Sequence, residues 1–349
     1  MKLDNNFLAF LALAQAGLWE REVRLIPYGH INYKEIYSIA ESQLVVGLVA
    51  AGIEHVIDVT IPHDDVLLFV GHTLQLEQRN VDMNRFIGSM TRSLRANDIC
   101  SLLLKGQGIA LCYERPLWRT SGDVDLLLSD RDYNKTKNYL LKLSSRSFPE
   151  RIYSKELGMV IKSWMVEVHG TQRIGLSSKI DRVIDSVQHD VFYGDNVRTW
   201  DNDGIPVFMP SPDNDVFFVF THYLKHYYKD VLNLRQVCDW CRLLWEFRGS
   251  LDLDLLKKRL RESALLSEWK AFSALAVDYL GIPKEAMPFY VNKHYWHSKA
   301  LRIVKSLNTN NEVRRLIHCF ITFPWHTLKF MPNIMFNVNI LKIIERVSI

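Results

Sequence analysis

The sequence contains few cysteines, and their pattern restricts the class of protein. Five cysteines among 349 residues are odd in number and scattered along the chain, which indicates a reducing compartment rather than a disulfide-rich secreted domain. Cys238 and Cys241 have the spacing of a redox motif, but they fall inside a predicted helix with no strand before it, and no second pair completes a zinc site. We therefore interpret them as packed helix residues and expect a cytoplasmic location.

The sequence also lacks long hydrophobic runs and a strong charge imbalance. No apolar run reaches the ~18–20 residues that span a bilayer, so we expect no transmembrane segment. Residues 7–16 are apolar, but Asp4 and two asparagines precede them, which favours a capped helix over a signal peptide. The net charge of +4 suits polyphosphate substrates but supplies no concentrated basic stripe, so long nucleic acid is the less favoured partner.

Hydrophobic periodicity predicts three regions, at residues 1–98, 99–210 and 211–349. The first and last are predicted to be helical. Their predicted helical segments are 7–18, 33–51, 74–97, 213–245 and 253–280. Ser211 followed by Pro212 marks the start of the second helical region.

The middle region changes to a strand pattern. Its predicted strands are 99–104, 124–128 and 159–169, its predicted helices are 109–113 and 132–143, and a loop is predicted at 201–212. Strands and helices that alternate over about 70 residues predict a compact module that contains both.

The C-terminal tail combines aromatic and basic side chains. They are Phe320, Phe323, Trp325, Phe330, Phe336, Arg314, Arg315, Lys329, Lys342 and Arg346. Such a tail fits either a peripheral membrane surface or a pair of helices packed on the core. We prefer the packed helices.

Three acidic residues provide the main candidate site. Asp123 and Asp125 lie two residues apart on a predicted strand, so both side chains point to the same face. Two adjacent carboxylates repel each other unless a cation lies between them, and oxygen ligands suit Mg²⁺. Glu167 lies on a second alternating strand, and if the two strands are neighbours it completes a site for two ions. His169, on the same face as Glu167, is interpreted equally as a ligand, as a support for the ligands or as a surface residue.

A glycine-containing turn precedes this pair. Lys105, Gly106 and Gly108 lie between a predicted strand and a predicted helix, where glycines allow backbone N–H groups to approach phosphate oxygens. The Walker A spacing is absent. Lys105 is therefore interpreted either as a phosphate contact or as a solvated lysine.

Further candidates lie in the C-terminal helical region. His222 and His226 are four residues apart on one helix face and either face the substrate or lie on the surface, the latter being preferred. Arg235 and Asp239 have the spacing of an intrahelical salt bridge, and Arg235 is also counted among the candidate binding residues.

These motifs together resemble a bacterial family of nucleotidyltransferases within the DNA polymerase β superfamily. The shared blocks are Leu104-Lys105-Gly106, Arg119-Thr120-Ser121-Gly122-Asp123-Val124-Asp125, Val166-Glu167-Val168-His169 and the helix containing Leu234-Arg235-Gln236. The resemblance covers residues 75–245. The chain departs from the superfamily pattern at Gln107, where a serine or glycine is usual.

The resemblance implies an α+β fold, with a small mixed sheet flanked by the two helical regions. It implies transfer of a nucleoside monophosphate from a nucleoside triphosphate to an acceptor hydroxyl, with release of pyrophosphate and two Mg²⁺ ions, or Mn²⁺ in their place. Asp123, Asp125 and Glu167 would hold the ions, and Lys105 and Arg119 would face the phosphates. Two alternatives stay open: a degenerate member that binds nucleotides or a partner, and a metal-dependent phosphodiesterase.

Overall fold

A seven-stranded mixed sheet, with the strand order β3-β4-β5-β2-β1-β7-β6, lies at the centre of the structure. The structure is a computed structural model and describes residues 3–194, 196–309 and 311–331. The strands are β1 (Ser101–Leu104), β2 (Asp123–Leu128), β3 (Arg146–Ser147), β4 (Glu156–Ile161), β5 (Trp164–His169), β6 (Val197–Asn202) and β7 (Ile205–Pro210). A mixed sheet flanked by helices confirms the predicted α+β class, although the sheet is larger than the three strands predicted.

The N-terminal region is helical, as predicted. Its helices are α1 (Asn5–Trp19), α2 (Tyr33–Ser42), α3 (Val46–Glu54) and α4 (His63–Arg95). Asp4 caps α1 by accepting a hydrogen bond from the backbone N–H of Phe7 at 2.8 Å, which confirms the predicted cap. The single helix predicted over 33–51 is wrong, because Leu44 adopts a left-handed φ of +57° and separates α2 from α3.

The central region contains two β-hairpins that the sequence pattern did not separate. Residues 159–169 do not form one strand; Lys162, with a φ of +56°, turns the chain between β4 and β5. The loop predicted at 201–212 is also wrong, because β6 and β7 pair there as a second hairpin. The helices are α5 (Gly106–Ala110), α6 (Asp130–Leu141) and α7 (Ser178–Tyr193).

The C-terminal helices begin at Pro212, with Ser211 as the capping residue, as predicted. They are α8 (Pro212–Lys229), α9 (Leu234–Glu246), α10 (Leu253–Glu262), α11 (Leu266–Leu280), α12 (His294–Leu307), α13 (Glu312–Thr322) and α14 (Pro324–Phe330). The two long predicted segments are each divided into two helices, at 230–233 and 263–265. Cys238 and Cys241 are free and buried in α9, in agreement with their interpretation as packed residues.

The described part of the tail packs on the core. Phe323 and Phe330 are buried, and their rings contact those of Tyr228 at centroid distances of 6.4 and 5.0 Å. The preferred interpretation as packed helices is therefore confirmed for residues 313–331. Phe336, Lys342 and Arg346 lie outside the described residues. Among the residues that the structure describes, no helix has the length and hydrophobicity needed to cross a membrane.

The two faces of the sheet pack against different helices. Val124, Leu126 and Leu128 of β2 point into a core that α4 also contributes to. Leu127 points into the larger core that the N- and C-terminal helices share. Because side chains alternate along a strand, Asp123 and Asp125 lie on the Leu127 face, towards the C-terminal helices.

Candidate active site

Asp125 and Glu167 lie directly opposite each other at the centre of the sheet. Strands β2 and β5 are parallel neighbours, and their register pairs Asp125 with Glu167 and Leu127 with His169. A carboxylate oxygen of Asp125, one of Glu167 and a ring nitrogen of His169 all lie within 4.8 Å of one another. The strand that carries Glu167 is therefore a neighbour of the strand that carries the two aspartates, which is the condition for a shared site.

Asp123 lies on the same face but is not part of this close group. Its strand partner on β5 is Met165, and its side chain lines a cavity of about 410 Å³ together with Asp125, Glu167 and His169. The structure thus brings the three predicted carboxylates to one cavity and adds His169 to the close pair of Asp125 and Glu167. His169 is buried, which removes the surface interpretation.

Two basic side chains contact Asp125. Lys105 donates from Nζ to Oδ1 of Asp125 at 3.1 Å, and His169 Nε2 lies 2.8 Å from the same oxygen. His169 Nε2 is also 3.5 Å from a Glu167 oxygen. Lys105 reaches this position because it follows Leu104, the β1 residue paired with Asp125, and because its φ of +50° turns the chain sharply there.

The carboxylates have different pKa values because their neighbours differ. The neighbouring Asp125 charge, together with burial, raises the pKa of Asp123 to about 6. Burial alone would also raise the pKa of Asp125, but Lys105 and the hydrogen bond with His169 outweigh it and lower that pKa. The hydrogen bond with His169 lowers the pKa of Glu167. Asp123 is therefore the carboxylate that most needs a nearby cation.

We expect Asp123→Asn to stabilise the metal-free protein at neutral pH. The raised pKa of Asp123 means that the folded state favours the protonated carboxyl more than the unfolded state does. This preference stabilises the folded protein fully below about pH 4, and the stabilisation is lost as the pH rises through about 6. The stability advantage of the variant should therefore be about 1–2 kcal/mol at pH 7, after allowance for the partial exposure of the group, and clearly smaller at pH 4.5.

Urea unfolding in EDTA at both pH values measures this difference. Added Mg²⁺ should stabilise the wild-type protein more than the variant and so reverse the order. If the stability advantage of Asp123→Asn did not change with pH, repulsion between the charges of Asp123 and Asp125 would not be its cause.

The two glycines of the turn have different roles. Gly106 has a φ of +43° and lines the cavity beside Lys105. Gly108 is packed in the interior instead, where an added Cβ would lie 2.8 Å from the sulfur of Met209. Gln107, the departure from the superfamily pattern, donates a 3.0 Å hydrogen bond to Asn80 on α4 and so attaches the turn to that helix.

Arg119 forms a buried ion pair with Asp239. Its Nε and Nη2 atoms lie 2.6 and 2.7 Å from the two oxygens of Asp239, and the hydroxyl of Tyr113 donates to Asp239 at 2.7 Å. The intrahelical pair predicted between Arg235 and Asp239 is therefore wrong, because Asp239 bonds to a residue that precedes β2. Arg119 borders the cavity, but its guanidinium already holds α9 against the sheet.

Arg235 is left with few contacts of its own. Within the described residues, its buried Nε has no hydrogen-bond partner, and Nη1 makes only a 3.4 Å contact to the carbonyl oxygen of Thr120. Burial and the neighbouring Arg119 lower the pKa of Arg235. A cationic side chain that lines the cavity with an unused donor is well placed to contact an anion.

The two histidines of α8 lie over the carboxylates. His222 Nδ1 is 3.5 Å from the Lys105 ammonium, and the Nε2 atoms of His222 and His226 are 3.1 Å apart. Burial lowers the pKa of His226 to about 4 and that of His222 well below its usual range, so both are neutral. Both line the cavity, and the preferred surface interpretation is wrong.

Several cavity residues escaped the sequence argument. Lys225 and Asp230 on or after α8, Asn233 and Gln236 around the start of α9, and Arg173 after β5 all line the cavity. The signal for Lys225 was present, because it lies three residues after His222 on the same helix face. No local signal marks Arg173.

The mixed sheet presents an aspartate pair and a third carboxylate beside a Lys–Gly turn, the arrangement that the sequence motifs predicted. The chain belongs to a family described as "Uncharacterised nucleotidyltransferase", which matches residues 29–281. This confirms the predicted kind of family, while a bacterial origin and membership of the DNA polymerase β superfamily stay predictions.

Among solved structures, the chain is similar to an antigenic nucleotidyltransferase-like protein from Paracoccidioides brasiliensis. The two share 15% identity over 53% of this chain and 90% of that chain, with a TM-score of 0.32. Among curated proteins, none matches the sequence.

Proposed function

We propose that the chain is a metal-dependent nucleotidyltransferase that moves a nucleoside monophosphate from a nucleoside triphosphate to an acceptor hydroxyl and releases pyrophosphate. The observation that carries this proposal is the pairing of Asp125 with Glu167 on adjacent parallel strands, with Asp123 on the same face of one cavity. Family membership supports nucleotidyl transfer in general. The metal, the donor nucleotide and the acceptor are the parts proposed here.

The donor atoms of the site fit a hard divalent cation. Three carboxylates supply oxygen ligands, and the raised pKa of Asp123 shows that the acidic cluster is short of positive charge despite Lys105. Asp123, Asp125 and Glu167 would hold Mg²⁺, or Mn²⁺ in its place, because carboxylate oxygens suit both ions. Two bound ions stabilise the attacking and leaving oxygens of a phosphoryl transfer.

The remaining cavity residues are suited to orienting the two substrates. Lys105, Gly106 and Arg235 lie on the side of the cavity where a triphosphate would contact an ammonium, backbone N–H groups and a guanidinium. Arg119 has a positioning role, because through Asp239 it fixes the helix that carries Arg235. Glu167 lies on β5, which β2 separates from β1 and its Lys105 turn, and the acceptor hydroxyl would approach on that side.

The proposal is tested by incubating cell extract with the protein, Mg²⁺ and each labelled nucleoside triphosphate in turn. Mass spectrometry should then find one labelled product, formed with pyrophosphate and absent when the Asp123→Ala, Asp125→Ala double variant is used. Nucleotide binding without pyrophosphate release over a broad acceptor panel would favour a degenerate binding protein. Hydrolysis of a nucleic acid without triphosphate would favour a phosphodiesterase.

A further inference from the structure

A second cavity opens beside the carboxylate site. It measures about 540 Å³, a size typical of small-molecule sites. It shares Arg151, Arg173, Ile174, Lys225 and Asp230 with the first cavity, so the two are continuous.

The second cavity lies on the Glu167 side of the site. Its wall includes Arg151, which pairs at 2.5 Å with Glu156, and Glu156 lies opposite His169 in the β4–β5 register. Among the described residues, Lys105 and Gly106 line only the first cavity. The second cavity is thus separate from the turn assigned to the triphosphate.

Four cationic side chains line this cavity: Arg151, Arg173, Lys225 and Lys229. Arg173 is paired with Asp185, whose carboxylate it contacts twice at 2.7 and 2.6 Å. The two lysines are less well paired. Lys225 is 3.9 Å from an oxygen of Glu156, and Lys229 donates to the backbone carbonyl oxygen of Gly175 at 2.7 Å.

The two acidic residues of the cavity have their closest contacts with groups other than the lysines. Asp181 accepts hydrogen bonds from the hydroxyl of Tyr153 at 2.6 Å and from the backbone N–H groups of Ile174 and Gly175 at 3.0 and 3.2 Å. Asp230 lies 3.4 Å from His226. Both carboxylates also act on Lys229, whose pKa they raise, so they offset part of the positive charge of the lysines.

Lys225 and Lys229 are four residues apart on α8, so their ammonium groups lie on one face of the helix. Like charges at this spacing repel each other, and an anion between them removes the repulsion. Burial and the charge of Lys225 lower the pKa of Lys229, and the charges of Asp181 and Asp230 oppose that shift only in part.

We propose that the second cavity binds the acceptor and that the acceptor is a small phosphomonoester whose phosphate lies between Lys225 and Lys229. The inference rests on the proposed function. The acceptor hydroxyl oxygen would form a bond to the α-phosphorus of the triphosphate while the bond to the β-phosphate oxygen breaks. Pyrophosphate leaves, and the hydroxyl proton passes to solvent or to Glu167. The product carries a new phosphodiester and retains its original phosphate.

Isothermal titration in EDTA tests the cavity without the metal site. Glycerol 3-phosphate and ribose 5-phosphate serve as probes, with glycerol and ribose as uncharged counterparts. We expect at least one phosphomonoester to bind the wild-type protein, at least tenfold weaker binding to Lys225→Gln, Lys229→Gln, and no binding of the uncharged compounds. The Lys→Arg double variant should retain binding, because it keeps both charges.

A matched control replaces two exposed lysines outside the cavity, Lys142→Gln with Lys258→Gln, and should bind as the wild-type protein does. Any of three results would overturn the proposal. Neither phosphomonoester binds the folded wild-type protein, or the phosphomonoester binds the cavity variant and the control variant equally. The third result is displacement of the phosphomonoester by saturating nucleoside triphosphate.

A separate titration distinguishes this inference from the proposed function. The Lys229→Gln single variant, whose side chain lines the second cavity and not the first, should bind Mg²⁺ and nucleoside triphosphate within about twofold of the wild-type affinity. If the wild-type protein binds phosphomonoesters but no triphosphate, the phosphate cavity stands and the proposed transferase activity fails. If the wild-type protein binds triphosphate but no phosphomonoester, the phosphate cavity fails and the proposed transferase activity stands.

Discussion

Asp125→Asn is expected to reduce nucleotidyl transfer by at least about 10³-fold, because a carboxylate that holds the metal stabilises the developing charge by several kcal/mol. Asp125 is 2% exposed and lies at the centre of the contacts with Lys105, Glu167 and His169. Asparagine keeps the shape of the side chain but removes the charge. Formation of the labelled product in cell extract measures the loss, and Mg²⁺ titration measures the accompanying loss of metal affinity.

Asp130→Asn is the matched control, because its carboxylate has the same chemistry but is largely exposed, at 81% of its side-chain area, and pairs only with Lys155 among the described residues. It should retain wild-type activity. Asp125→Asn should also lower the stability of the metal-free protein by about 1–3 kcal/mol, since Lys105 and His169 lose a charged partner. Wild-type turnover by Asp125→Asn would remove the carboxylate site from the mechanism.

Arg119→Ala is expected to destabilise the protein by about 3–5 kcal/mol, because it leaves the Asp239 charge buried without its cation. Both side chains are almost completely buried, at 2% and 6% exposure, and Arg119 contacts both Asp239 oxygens. The free energy of unfolding from urea titration, followed by far-UV circular dichroism, measures the effect.

Arg85→Ala provides the comparison, since the pair of Arg85 with Asp82 is exposed, at 68% and 48%, and should contribute less than about 1 kcal/mol. If Arg119→Ala kept its stability and lost triphosphate affinity instead, Arg119 would contact phosphate directly, as the family resemblance implies. A loss of stability without a further loss of affinity in the folded fraction supports the positioning role.

The two aspartates of β2 illustrate how position alone changes the behaviour of identical side chains. Lys105 and His169 both contact Asp125, so its charge is favoured, whereas Asp123 mainly experiences the charge of Asp125. Removal of either charge should abolish transfer, but the two asparagine variants should change the stability of the metal-free protein in opposite directions. This difference separates a structural contribution from a catalytic one at neighbouring positions.

Local patterns sufficed for the strand that carries the two aspartates and for the start of α8. Strict alternation placed Asp123 and Asp125 on one face, and Ser211 with Pro212 marked the start of α8. Patterns failed where the chain reverses within an apolar segment. Leu44 and Lys162 adopt positive φ without being glycine, so nothing in their residue type announced the breaks.

The sequence by itself determined the acidic residues, the strand that presents the two aspartates and the kind of family, because strand alternation and short motifs act over a few neighbouring residues. Only the tertiary structure decided which partner each charge has. Asp239 bonds to Arg119 across 120 positions rather than to Arg235 on its own helix, and Lys225 and Lys229 meet Arg173 in one cavity. Charges interact through space, and the distances that determine their energies arise only when strands and helices distant in sequence pack together.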